Sequence, residues 1–147
     1  MTARADPPHG WFGHAAALGG WPTERRQRLR DAGPGDRLVR AAALAGEAVV
    51  SRDGAPLGNV CELLLDVQRG RIAYAVVAHG GFMGLGERLH AVPWCALRIG
   101  ADALVLDGER TTFLAAPAFD KEHWPDSPDP AWHQALHRHY RCAPYWE

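Results

Sequence analysis

Residues 59–79 have the sequence NVCELLLDVQRGRIAYAVVAH, and this stretch indicates a β-hairpin. Apolar and acidic side chains alternate through its first half, the period-two pattern of a half-buried strand. The side expected to face inward is formed by Cys61, Leu63, Leu65 and Val67. Residues 68–71 then supply a turn, and residues 72–79 are apolar on both faces and rich in β-branched residues, as in a central strand.

Short apolar runs continue on both sides of this hairpin. Residues 48–51 precede an Asp53–Gly54 turn signal, and residues 88–92 and 103–106 supply two further strands. Because these runs follow one another with no convincing helix between them, they favour a small closed barrel, in which no strand edge is exposed. We therefore predict an all-β domain over residues 38–110, with about six short strands.

Glycines are concentrated between the hairpin and the next strand. Gly80, Gly81, Gly84 and Gly86 surround Phe82, and such a backbone can adopt positive φ or approach another chain closely. A phosphate cradle is disfavoured because the spacing is not G-x-G-x-x-G and no helix follows. The sole lysine, Lys121, is remote from the cluster, which excludes a Walker loop.

The two ends of the chain differ from the middle. Residues 1–37 contain six arginines and four acidic residues, are rich in glycine and proline, and lack an apolar stripe. We expect them to form a mobile basic arm.

The last 37 residues hold seven of the 13 aromatic residues, so we expect residues 111–147 to dock on the barrel or on a dimer partner. These aromatics are Phe113, Phe119, Trp124, Trp132, Tyr140, Tyr145 and Trp146. Asp129 can cap a helix that begins at Pro130. The stripe of that helix would be Trp132, Leu136 and Tyr140.

Composition limits the classes of function. The chain has 147 residues, 47% of them hydrophobic, which is typical of one ordinary globular domain. Its formal charge of −1 makes nucleic-acid binding unlikely. No signal peptide or membrane span is expected, and the three cysteines lack C-x-x-C spacing, so we predict a cytoplasmic protein with reduced thiols.

Candidate chemistry is sparse. His133 and His137 are spaced to share a zinc or nickel ion, with His139 nearby, but no glutamate completes an H-E-x-x-H motif. With no carboxylate or thiolate expected at closing distance, we predict that these histidines pack and that no transition metal binds. Cys95 should lie in a packed corner, while Cys142 is the most plausible reactive thiol.

Nucleophilic catalysis lacks a plausible residue elsewhere. Neither of the two serines, Ser51 and Ser127, lies in a nucleophile elbow. We therefore predict that the protein is not an enzyme and carries no cofactor.

Four segments in order resemble the PRC-barrel family. They are Gly58–Asp66, Gly70–Val77, Gly80–Gly86 and Ala91–Trp94. Phe119–Lys121, Trp124–Pro125 and Pro144–Trp146 are similar to the C-terminal extension of a bacterial subgroup. The family includes the cytoplasmic domain of the photosynthetic reaction-centre H subunit and the C-terminal half of a 16S rRNA-processing ribosome maturation factor, both of which use the barrel for binding.

This resemblance implies a non-enzymatic adaptor for an unknown protein partner, expected to be a homodimer. Three alternatives remain open: an accessory protein of a reaction-centre or other membrane complex, a ribosome-assembly factor, and a metal-binding protein built on the histidine cluster. Residues expected to determine the fold or the interaction are Gly80, Gly81, Phe82, Gly84, Gly86, Pro93, Trp94, Trp124, Trp132, Tyr145 and Trp146.

Overall fold

The computed structural model describes residues 39–81, 85–124 and 129–147. The predicted basic arm over residues 1–37 lies outside the described residues, as do Phe82 and Gly84.

The described chain is mostly β-sheet with a C-terminal helix, which agrees with the predicted all-β fold class. Seven strands are β1 Ala48–Val50, β2 Pro56–Asp66, β3 Arg71–His79, β4 Arg88–Pro93, β5 Leu97–Ile99, β6 Leu104–Leu106 and β7 Ala118–Phe119. They are hydrogen-bonded in the order β5-β6-β1-β2-β3-β4-β7. All neighbours are antiparallel except β1 and β6, which are parallel.

The predicted hairpin is formed by β2 and β3, paired from Asn59↔Ala78 to Asp66↔Arg71. The predicted inward face is wrong for its outer half, since Leu65 is 57% exposed and Val67 86% exposed. Val67 lies beyond the end of β2, in the turn, and for Leu65 the alternation is interrupted by register shifts between Val60 and Glu62 and between Leu64 and Leu65. Each bulge places an extra residue in one strand and thereby breaks the strict alternation of side chains.

β2 and β3 approach each other closely at Gly58. A Cβ at this position would lie 2.0 Å from the carbonyl oxygen of Ala78, on the neighbouring strand. No side chain fits there, so this glycine determines how closely the two longest strands pack.

Three α-helices and one 3₁₀ turn complete the described fold. They are α1 Ala41–Leu44, the 3₁₀ turn Trp94–Ala96, α2 Arg110–Ala115 and α3 Pro130–Tyr140. The predicted cap of α3 is confirmed, because the Asp129 side chain accepts a hydrogen bond of 3.0 Å from the Ala131 N–H. The helix ends at Arg141, which has a left-handed φ of 55°.

The core draws on both the strands and the last 37 residues. Val60, Val77 and Val92 from the strands share one apolar cluster with Phe113 of α2 and Leu136 of α3. β7 also extends the sheet by pairing with β4. Within this chain, therefore, the C-terminal extension packs against the barrel strands.

No helix in the described ranges is long and apolar enough to cross a membrane.

Candidate functional site

An aromatic cluster surrounds Tyr74, a buried residue of β3. Its ring centroid lies 5.6 Å from that of Trp132, 5.3 Å from His133 and 6.0 Å from Tyr145. The Tyr74 hydroxyl is hydrogen-bonded to Nδ1 of His133. Burial raises the pKa of Tyr74, with a further contribution from Tyr145, so the phenol is neutral at physiological pH.

Trp146 covers the outer side of this cluster. Its ring lies 5.8 Å from His133 and 5.0 Å from Tyr145, in edge-to-face geometry. We call Trp132, His133, Tyr145 and Trp146 the aromatic face; all four are half-buried, so each presents part of its ring to solvent.

The aromatic face adjoins the end of the β2–β3 hairpin. Arg71 donates a hydrogen bond of 2.7 Å to the carbonyl oxygen of Tyr145. Burial and then the neighbouring Asp66 carboxylate raise the pKa of Tyr145, which places the tyrosine beside the same hairpin end. The exposed side chains of Leu65 and Val67, here called the hairpin tip, project from that end.

A cysteine–histidine cluster adjoins the aromatic face, since the His137 ring lies 5.0 Å from that of Trp146. Cys95 and Cys142 form a disulfide, with Cα atoms 5.9 Å apart, so the prediction of reduced thiols is wrong for this pair. His137 Nδ1 lies 3.6 Å from the Cys95 sulfur and 3.7 Å from the Cys142 sulfur. The expectation of no carboxylate or thiolate at closing distance overlooked these two sulfurs, which are here joined in the disulfide.

Sequence reasoning missed this cluster because the two cysteines are 47 residues apart and meet only when α3 docks on the sheet. Cys95 is also exposed, and not in a packed corner as predicted. Cys95 lies in the 3₁₀ turn that follows β4.

The three histidines of α3 have separate partners. His133 contacts Tyr74, His137 contacts the sulfurs, and His139 Nε2 lies 2.8 Å from the carbonyl oxygen of Thr112. Burial lowers the pKa of both His133 and His137. The structure thus does not bring the predicted trio together around one point.

A second buried histidine was missed entirely. His90 of β4 is buried against Phe113, with ring centroids 4.3 Å apart, and its Nδ1 has no hydrogen-bond partner. Burial, followed by the nearby His79 and Arg88, lowers the pKa of His90 to about 4. The only sequence feature that could have indicated this buried histidine was its position among the apolar residues of a predicted strand.

The described glycines on the two sides of residues 82–84 have left-handed backbone. Gly80, Gly81 and Gly86 have φ values of +69°, +81° and +73°. A Cβ on Gly81 would lie 2.9 Å from the backbone nitrogen of Glu87. The Glu87 carboxylate pairs with Lys121 at 2.7 Å, so Glu87 contacts the extension.

Three further residues that were predicted to determine the fold or the interaction pack against the rest of the described fold. Pro93 is buried, and Trp94 packs against the core cluster. Trp124 packs edge-to-face against Phe119, with ring centroids 5.1 Å apart.

The family model described as PRC-barrel domain matches residues 36–111. The matched region contains β1 to β6 and ends within α2. No curated protein matches the chain.

Proposed function

The chain belongs to the PRC-barrel domain family, and from that premise we propose that it is a non-enzymatic protein-interaction module that binds through the aromatic face and the hairpin tip. The observation that carries this proposal is the exposure of Leu65 and Val67 at the hairpin end that Arg71 links to Tyr145 by a hydrogen bond. Large apolar side chains that adjoin each other at a surface are typical of protein interfaces.

The composition of this surface supports the proposal. Trp, Tyr and Arg are the residues that most often dominate binding energy, because large rings bury much area at little entropic cost. Covering a Val or Leu side chain contributes about 1.5–3 kcal/mol relative to leaving it in water. Val67 is 86% exposed, so almost all of that contribution is available to a partner.

The rings are also held in place before any partner arrives. Trp146 and Tyr145 pack against each other edge to face, and Arg71 donates a hydrogen bond to the carbonyl oxygen of Tyr145. A preorganised surface loses less conformational entropy on binding than a mobile one. We propose a second copy of the chain as one partner, a homodimer, and a cytoplasmic location.

The test uses a double variant, Leu65→Asp with Val67→Asp. Both side chains are solvent-exposed, so the variant should fold with little change in melting temperature. The matched control is Ile99→Asp, which alters a 54% exposed side chain on β5 at the far end of the strand order. Molar mass would be measured by light scattering at several concentrations, together with quantitative affinity capture from cell extract.

We expect the double variant to lose self-association and captured partners at least tenfold relative to the control. Equal mass and equal capture in both variants would contradict the proposal. Loss of co-sedimentation with membranes or ribosomes at low salt would assign the partner to one of those two classes.

A further inference from the structure

We propose that Cys95, His137 and Cys142 form a binding site for a thiophilic divalent cation, Zn²⁺ foremost, when the disulfide is reduced. This inference does not depend on the proposed function, although the His137 ring packs 5.0 Å from Trp146 and 5.9 Å from Tyr145 of the aromatic face. Among the described residues, these three form the one group whose ligand atoms, two sulfurs and an imidazole nitrogen, all lie within 4.8 Å of one another.

The distances from nitrogen to sulfur are already those of a metal site. Tetrahedral Zn²⁺ with Zn–S near 2.3 Å and Zn–N near 2.0–2.1 Å requires ligand atoms about 3.5 Å apart. His137 Nδ1 lies 3.6 Å and 3.7 Å from the two sulfurs. Only the two sulfurs, now bonded to each other, must separate, to about 3.8 Å in the same geometry.

The backbone holds the three ligands without large movement. His137 is in the last turn of α3, and Cys142 follows the left-handed residue Arg141 that ends the helix. The Cys142 N–H donates a hydrogen bond of 3.1 Å to the His137 carbonyl oxygen, which keeps these two ligands side by side. Cys95 approaches from the 3₁₀ turn, with 5.9 Å between the cysteine Cα atoms.

The donor set selects the metal. Two thiolates and one imidazole favour zinc over magnesium or calcium, which prefer oxygen ligands. Three protein ligands leave a fourth position for water. Cys95 is exposed, so both metal and water can enter from its side.

Metal binding and the disulfide exclude each other chemically. Reduction breaks the S–S bond with two electrons and two protons, supplied by two molecules of a low-molecular-weight thiol that are oxidised to their own disulfide. Zn²⁺ then displaces the two thiol protons. In either state a link through the two sulfurs ties α3 to the turn that follows β4.

The direct test needs no variant. The full chain would be reduced with dithiothreitol, desalted without oxygen, and titrated with Zn²⁺ and with Co²⁺. We expect one metal per chain and a thiolate-to-cobalt charge-transfer band, and neither in protein oxidised with diamide. A reduced protein that binds less than a tenth of an equivalent would overturn the site and leave a disulfide only.

Variants assign the ligands. Cys95→Ser and Cys142→Ser should each weaken Zn²⁺ binding at least 100-fold, and His137→Asn at least tenfold. The controls are Cys61→Ser, a cysteine outside the cluster, and His139→Asn, on the same helix but bonded to Thr112. Equal affinity in a ligand variant and the controls would overturn the assignment of that ligand.

Discussion

Gly58 shows how a single residue can limit the fold of this protein. A Cβ at this position would overlap the Ala78 carbonyl oxygen at 2.0 Å, and the obstacle is backbone of the neighbouring strand, which cannot rotate away. We expect Gly58→Ala to destabilise the protein by about 3 kcal/mol or more, as in other strongly overpacked positions. Urea unfolding monitored by tryptophan fluorescence measures this change.

The control for that change is Gly54→Ala. Gly54 also has positive φ, at +86°, but nothing lies within 4 Å of the added Cβ. Only the cost of a left-handed backbone remains, about 1–2 kcal/mol. If the two variants lose equal stability, the close approach of β2 and β3 at Gly58 is not what requires glycine.

His90 should make the stability of the fold depend on pH. Its pKa is about 4 in the folded chain and near 6.5 when unfolded, so the unfolded state binds the extra proton first. Stability from this neutral histidine is complete above about pH 6.5 and is lost as pH falls to about 4. At about 1.4 kcal/mol per pKa unit, the loss is about 3 kcal/mol.

The measurement compares wild type with His90→Gln. Free energies of unfolding would be determined from pH 7.5 to pH 4. Wild-type stability should fall more steeply with acidification than that of the variant, since glutamine does not titrate. Parallel curves for the two proteins would contradict this assignment.

Local chemistry at single residues was predictable, whereas distant contacts were not. The Asp129 cap and Pro130 could be identified because a capping side chain acts on a backbone N–H two residues away. Cys95 and Cys142 could not be paired, because 47 residues separate them and their contact depends on how α3 docks. The buried His90 escaped notice for the same reason, since the Phe113 that covers it comes from a later element.

At the scale of elements, α3 is held by its apolar side. Leu136 is 1% exposed and belongs to the core cluster. We expect Leu136→Ala to cost about 2–5 kcal/mol, from lost burial and the cavity left behind. The matched control is Leu114→Ala in α2, where the side chain is 45% exposed and the expected cost is below about 1 kcal/mol.

Thermal unfolding of these two leucine variants separates packing from helix propensity, since alanine favours both helices. A Leu136 variant as stable as the Leu114 variant would mean that α3 contributes nothing to the core.

The elements themselves show where periodicity is informative. The β2–β3 hairpin followed from alternation and its turn residues, and the observed pairing confirms it. The two bulges could not be predicted, because an inserted residue depends on the neighbouring strand and leaves no clear mark in composition. As a result, Leu65 was predicted to face inward but is exposed, while Val67 is exposed because it lies in the turn beyond β2.

At the scale of the whole molecule, the extension completes the core that the family match contains only in part. The match ends at residue 111, whereas Phe113 and Leu136, both fully buried, come later in the chain. The burial of the large aromatic side chains of residues 111–147 was predictable from composition. Which surface they pack against depends on the tertiary structure and was not. β7, which belongs to the extension, also contributes to the sheet by pairing with Leu89 and His90 of β4.

Deleting residues 111–147 should therefore unfold the barrel or cause it to aggregate. Loss of Phe113 and Leu136 alone removes two core side chains, each worth about 2–5 kcal/mol, against a total stability of about 5–15 kcal/mol for a typical domain.

Removal of residues 1–37 is the matched control, because that segment lacks an apolar stripe. This second truncation should change the free energy of unfolding by less than about 1 kcal/mol. It should therefore shift the melting temperature by only about one or two degrees, because about 1 kcal/mol corresponds to a shift of about 2–8 °C. Calorimetry and light scattering on both truncated proteins decide the matter. A soluble protein without residues 111–147 that keeps the wild-type melting temperature would show that the barrel is stable without its extension.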